Sequence, residues 1–90
     1  MSEFSITIET VGNPDFGQYA PIADPQRLIE NTFQELKTSI RKYQGDNMIG
    51  GGNWTNPTLY QDENPIGYMS YNCRVWELGK DYPDAKEVDV

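Results

Sequence analysis

The six residues Phe4-Ser5-Ile6-Thr7-Ile8-Glu9 alternate apolar with polar side chains, the two-residue period of a strand that buries one face. The pattern predicts an N-terminal strand with Phe4, Ile6 and Ile8 turned inward. It breaks at Gly12-Asn13-Pro14, and residues 15–24 show no period; they read as a surface loop pinned by Phe16, Tyr19 and Ile22. A different spacing begins at Asp24-Pro25, where Asp can cap free N–H groups and Pro suits the first helical turn. Leu28, Ile29, Phe33, Leu36, Ile40 and Tyr43 then recur at three- and four-residue intervals, one stripe of an amphipathic helix over about 25–43. Lys37, Arg41 and Lys42 suit its negative end, and Gly45 suits its stop.

Residues 44–53, with Gly50-Gly51-Gly52, read as a flexible connection. Beyond it, Trp54 to Gln61 and Ile66 to Leu78 read as two strands joined by a tight turn at Asp62-Glu63-Asn64-Pro65, with Pro57 restricting the first to an edge or a late start. Met69, Tyr71, Cys73 and Val75 would share one face of the second strand and Trp76 and Leu78 the other, which calls for cover on both faces or a bulge near Val75. The fold expected is α+β, one small domain over 1–83, with the long helix packed on a small, mainly antiparallel sheet of about three strands. Residues 84–90 are expected to be a frayed acidic tail.

Composition sharpens this picture. Apolar residues are 37% of the 90 and aromatics 12%, enough to build one core. No run approaches the ~18 apolar residues of a membrane span, and Met1-Ser2-Glu3-Phe4 lacks the basic and apolar parts of a signal peptide. A cytoplasmic protein is the expectation. Cys73 is the single cysteine, so no internal disulfide closes, and the triplet Asn53-Trp54-Thr55 carries no weight as a glycosylation site outside a secreted chain.

The net charge of −7, from 14 acids and 7 bases, argues against direct binding of a nucleic-acid backbone. The charge is uneven: residues 1–24 hold Glu3, Glu9, Asp15 and Asp24 and no base, and residues 77–90 hold Glu77, Asp81, Asp84, Glu87 and Asp89 against Lys80 and Lys86. The chain has no histidine, which removes the commonest general base, metal ligand and partner of a nucleophile. With one thiol, a zinc site has no ligand set; Asp62-Glu63-Asn64 and Asp81 with Asp84 lack the alternating oxygens of a calcium loop. Neither a metal nor a cofactor is expected. Gly50-Gly51-Gly52 follows a helix and precedes Asn-Trp-Thr, the reverse of a phosphate loop's context. Glu30 and Glu35, five apart, share no helix face for paired carboxylate chemistry.

Recognition is what remains. The first expectation is a non-enzymatic inhibitor or adaptor that offers Trp54, Tyr82, Asp81, Asp84 and Glu87 to a protein partner with a basic surface. In size and charge alone the chain is similar to the compact acidic proteins of phages and mobile elements that block nucleic-acid-handling machines, anti-CRISPR proteins among them; no family motif carries the likeness. An alternative is a small-molecule or nucleotide binder, completed at a homo-oligomer interface, in which Arg41, Lys42, Gly50, Gly51 and Gly52 hold an anion beside Trp54. A third is a structural component of a larger assembly that pairs through its strand edges.

Overall fold

The computed structural model describes residues 3–81 and 84–90. It is an α+β domain in which one helix packs on a five-stranded antiparallel sheet: β1 (Phe4–Ile8), β2 (Gln26–Glu30), α1 (Phe33–Asp46), β3 (Thr58–Gln61), β4 (Asn64–Met69) and β5 (Val75–Trp76), in the spatial order β2-β1-β3-β4-β5. Strand β1 takes the place its alternation requires, with Phe4, Ile6 and Ile8 buried beneath α1.

The expected three strands and long helix are corrected in one stretch. Residues 26–30 are a strand, paired antiparallel to β1 with Ile6 opposite Leu28, and the helix starts only at Phe33. Ile29, Phe33, Leu36, Ile40 and Tyr43 step by four and three residues, so a helical stripe runs unbroken through a strand residue. The cap that decides the start is Thr32: its Oγ1 accepts from the Glu35 N–H at 3.1 Å and its hydroxyl donates to Glu35 Oε1 at 2.9 Å, a signature legible as Thr-x-x-Glu. The helix runs through Gly45 to Asp46.

The second region expected as one strand, 66–78, is two. A turn at 70–74 separates β4 from β5, closed by Ser70 N–H donating to Arg74 O at 2.9 Å and Cys73 N–H to Ser70 O at 2.9 Å. Cys73 is therefore a turn residue with φ 65°, and the register shift lies in the β3–β4 ladder instead, where Ile66 is the extra residue between the pairs Leu59–Gly67 and Tyr60–Pro65. The β3–β4 turn is Asp62-Glu63, both left-handed at φ 50° and 70°, as a two-residue hairpin turn requires. It is bolted to the chain start by Asp62 N–H donating to Glu3 O and Glu3 N–H to Asp62 Oδ1, each at 2.8 Å.

Within residues 84–90, expected to fray, Glu87 forms an isolated antiparallel bridge with Trp76 of β5. Glu77 N–H donates to Lys86 O at 2.9 Å and Val88 N–H to Val75 O at 2.7 Å; Ala85 is buried and Val88 packs against the core.

The molecule measures 42 × 29 × 17 Å, and its thinnest dimension holds only two layers. Side chains on the sheet face away from α1 therefore meet no second helix or strand among the described residues: Ser5, Thr7, Arg27, Ile29, Thr58, Tyr60, Tyr68 and Trp76 by register.

Packing at Gly67 is the tightest test of this arrangement. A methyl group there would lie 2.5 Å from Val75 Cγ1 and 2.7 Å from Trp76 O, whereas at Gly45 it would meet nothing within 4 Å. Gly67→Ala is expected to cost about 1–3 kcal/mol and Gly45→Ala to stabilise by about 0.5–1 kcal/mol, both measured by urea unfolding.

Candidate functional site

Two loops meet at the end of the molecule where β1 and α1 finish. The first, 11–22, is closed at its base by Thr10, whose hydroxyl donates to Ala23 O at 3.1 Å and accepts from Ala23 N–H at 3.2 Å. Inside it Asn13 caps a short 3-10 turn over Pro14–Phe16 by accepting from Asp15 N–H, and Gly17 ends that turn in the left-handed region at φ 71°. The second loop supplies Asn53, only 6% exposed. Its amide donates to Val11 O at 2.9 Å and to Gln18 Oε1 at 3.0 Å and accepts from Gly50 N–H at 3.1 Å. The backbone adds Val11 N–H to Asn53 O at 3.1 Å.

Polar groups thus do the pinning that Phe16 and Tyr19 were expected to do. Those two rings stand in solvent at 79% and 84% exposure, and of the three expected pins only Ile22 packs against the core. Met48, 87% exposed, and Val11 lie on the same pair of loops. Large apolar side chains at such exposure on an internally bonded loop are unusual unless they meet something. The segment Asn13-Pro14-Asp15-Phe16-Gly17 did carry a signal for Phe16: a side-chain cap, a proline and a left-handed glycine make a self-contained turn that leaves its ring exposed.

The residues singled out from the sequence are dispersed. Trp54 is a core residue, 8% exposed; its indole N–H donates to Met69 O at 2.8 Å and its ring meets Tyr71 edge-on at 6.1 Å, so neither face is offered to a partner or an anion. Gly51–Asn53 is a 3-10 turn, with Gly50 N–H already given to Asn53 and Gly52 against the Asn13 side chain. Arg41 and Lys42 diverge: Lys42 pairs with Asp46 at 2.7 Å beside β2, while Arg41 joins Lys37 and Asn72 around a separate cavity. The anion set expected at the glycine loop is not assembled there. Asp81 and Asp84 are brought together by Asp84 N–H donating to Asp81 O at 2.8 Å, and Glu87 lies opposite Trp76 in an isolated bridge. Tyr82 falls outside the described residues.

Cys73 is buried, and burial pushes its thiol above the ordinary value, partly offset by the charges of Arg41 and Lys37. Tyr43 is also raised, by burial and then by Asp24; its hydroxyl donates to Asp24 O at 3.0 Å. Among the described residues no group of three or more acids and thiols is placed to hold a metal, and no helix is long and apolar enough to cross a membrane. Comparison with protein-family models, curated proteins and solved structures finds no match.

Two outcomes follow from these environments. Asn53→Ala removes three hydrogen bonds in one step and is expected to cost on the order of 3 kcal/mol, with faster amide exchange across 11–18 as the accompanying readout. Cys73 and Tyr43 hold their protons more tightly folded than unfolded, so the native state binds more protons and stability falls as pH rises above about 8.5. Unfolding titrations from pH 7 upward should show this decline, and Cys73→Ala should remove its first part.

Proposed function

We propose that this chain is a non-enzymatic binding protein that docks on a basic protein partner, as an inhibitor or adaptor, with Phe16 and Tyr19 as its anchors. The observation that carries the reading is the near-complete exposure of both rings on a loop whose backbone is held by Asn13, Gln18 and Asn53. Burying each ring in a partner's pocket gains about 1.5–3 kcal/mol. An anchor on a loop already ordered loses less entropy on binding than one on a mobile loop.

Charge points to the kind of partner. Residues 9–24, which include the anchor loop, carry Glu9, Asp15 and Asp24 and no base. Asp81, Asp84 and Glu87 add negative charge from the far end of the sheet. Such a field speeds encounter with a basic surface and loses its reach as salt rises. The pairs Lys42–Asp46 and Lys80–Glu77 are local, the first fully at the surface and the second with Glu77 half-buried, and add little to stability; the acidic excess is therefore better explained by what the surface meets than by what holds the fold.

The test is capture of partners on the immobilised protein, followed by affinity measurement with each retained protein. A basic partner is expected whose affinity drops roughly 10- to 100-fold for the Phe16→Ala, Tyr19→Ala double variant and falls with added salt, while the variant's unfolding free energy stays within about 0.5 kcal/mol of the parent. A partner bound equally well by the double variant would overturn the anchor assignment. Affinity that is flat in salt and unmoved by neutralising Asp15, Asp24, Asp81, Asp84 and Glu87 would overturn the electrostatic one.

A further inference from the structure

The cations of this acidic protein are not scattered evenly among its cavities. Arg27 lines a cavity that also holds Glu63, Lys42 one that holds Asp46, and Lys80 one that holds Asp81 and Asp84. The groove between α1 and the turn that joins β4 to β5 differs: its lining of Gln34, Lys37, Thr38, Arg41, Asn72 and Cys73 contains two cations and no carboxylate, around a volume of about 410 Å³. Lys37 and Arg41 are one helical turn apart, a spacing at which like charges repel. Neither makes an ion pair among the described residues.

The two side-chain amides around them can give hydrogen bonds. Asn72 Oδ1 already accepts from Ser70 Oγ at 2.5 Å and from Arg74 N–H at 3.3 Å, so its amide N–H groups are what it has left. Gln34 offers a second amide. Thr38 spends its hydroxyl proton on Gln34 O at 3.1 Å. The Arg41 guanidinium gives one long bond, to Gln44 Oε1 at 3.5 Å, and retains further N–H donors. Lys37 lines the groove with its Nζ 5.0 Å from the centre of the Phe33 ring, a contact that leaves its N–H donors uncommitted to any described carboxylate.

From this juxtaposition we propose that the groove binds a phosphate group, with Arg41 and Lys37 supplying two positive charges and Asn72 and Gln34 supplying neutral donors. A phosphate monoester matches both the charge and the number of donors: it carries close to two negative charges at neutral pH and three oxygens that accept. A carboxylate, with one charge and two oxygens, would leave one cation and some of the donors unused. The site is distinct from the loop that bears Phe16 and Tyr19, and either can fail without the other.

Inorganic phosphate, titrated into the isotopically labelled chain at low ionic strength and followed by backbone amide shifts, tests the site directly. Saturable movement of residues 34–41 and 72–74 is expected, with a dissociation constant on the order of 1 mM. Arg41→Gln and Lys37→Gln should each weaken it about tenfold, Arg41→Lys should restore part of the loss, and Arg27→Gln should leave it unchanged. Phosphate should also slow alkylation of Cys73, which lines the same groove. A nucleoside monophosphate run beside it identifies the source: equal affinity assigns the phosphate group alone, and an affinity more than tenfold higher assigns an organic phosphomonoester. No saturable shift at tens of millimolar phosphate, equal binding of acetate at matched ionic strength, or shifts unmoved by both glutamine variants while thermal unfolding shows them folded, would overturn the proposal.

Discussion

One helix can cover only part of one face of a five-stranded sheet, and the rest of this structure follows from that shortfall. Strands spaced about 5 Å apart make a layer wider than an α-helix about 10 Å across. Helix α1 places Leu36, Ile40 and Tyr43 into the same cluster as Phe4, Ile6 and Ile8. That cluster is completed toward β4 and β5 by Ile49 and Trp54, with Tyr71 against it. Since the core is closed by residues outside regular elements, those segments have to be as fixed as the strands.

They are held by the polar tips of aromatic and amide side chains. Tyr71 donates to Ile49 O at 2.8 Å, Gln44 Nε2 to Tyr71 O at 3.1 Å, Trp54 Nε1 to Met69 O at 2.8 Å, and Tyr43 to Asp24 O at 3.0 Å. Tyr43, Trp54 and Tyr71 each contribute apolar area to the core as well as a directional bond to a backbone carbonyl, and buried Gln44 contributes the bond. Asn53 does the same job between the two end loops with no apolar area at all. The rigidity that closes the core thus extends outward to the loop carrying Phe16 and Tyr19, which links packing to the proposed anchors. On the opposite layer no second helix or strand covers the sheet among the described residues; Thr7 and Tyr60 are exposed there, Thr58 and Tyr68 are half-buried, and Ser5 is buried among its neighbours.

Charge is organised on top of this frame rather than within it. The described ion pairs are both local, and no buried side-chain polar atom among the described residues lacks a hydrogen-bond partner. Stability rests on apolar burial and satisfied polar groups. The acids are left outside to set a field, and Lys37 and Arg41 are left together in a groove of the opposite sign.

How much of this was legible in the chain depends on whether the deciding contact is local. The alternation at 4–8 and the cluster Asn13-Pro14 with Gly17 specify β1 and the first loop within a few residues. The stripe Phe33, Leu36, Ile40, Tyr43 specifies the body of the helix. The Thr32–Glu35 cap was also local, and the stronger-looking Asp24-Pro25 obscured it. What the tertiary structure alone decided was the use of segments compatible with two states. Residues 26–30 fit either period, and pairing with the free side of β1 makes them a strand. Residues 66–78 read as one extended run, and β5 folding back on β4 bends them at Cys73. Trp54 beside three glycines looks exposed, and the gap left by a single helix draws it inward. Local spacing states which conformations a segment tolerates; which one it adopts depends on apolar area and backbone partners supplied from dozens of residues away.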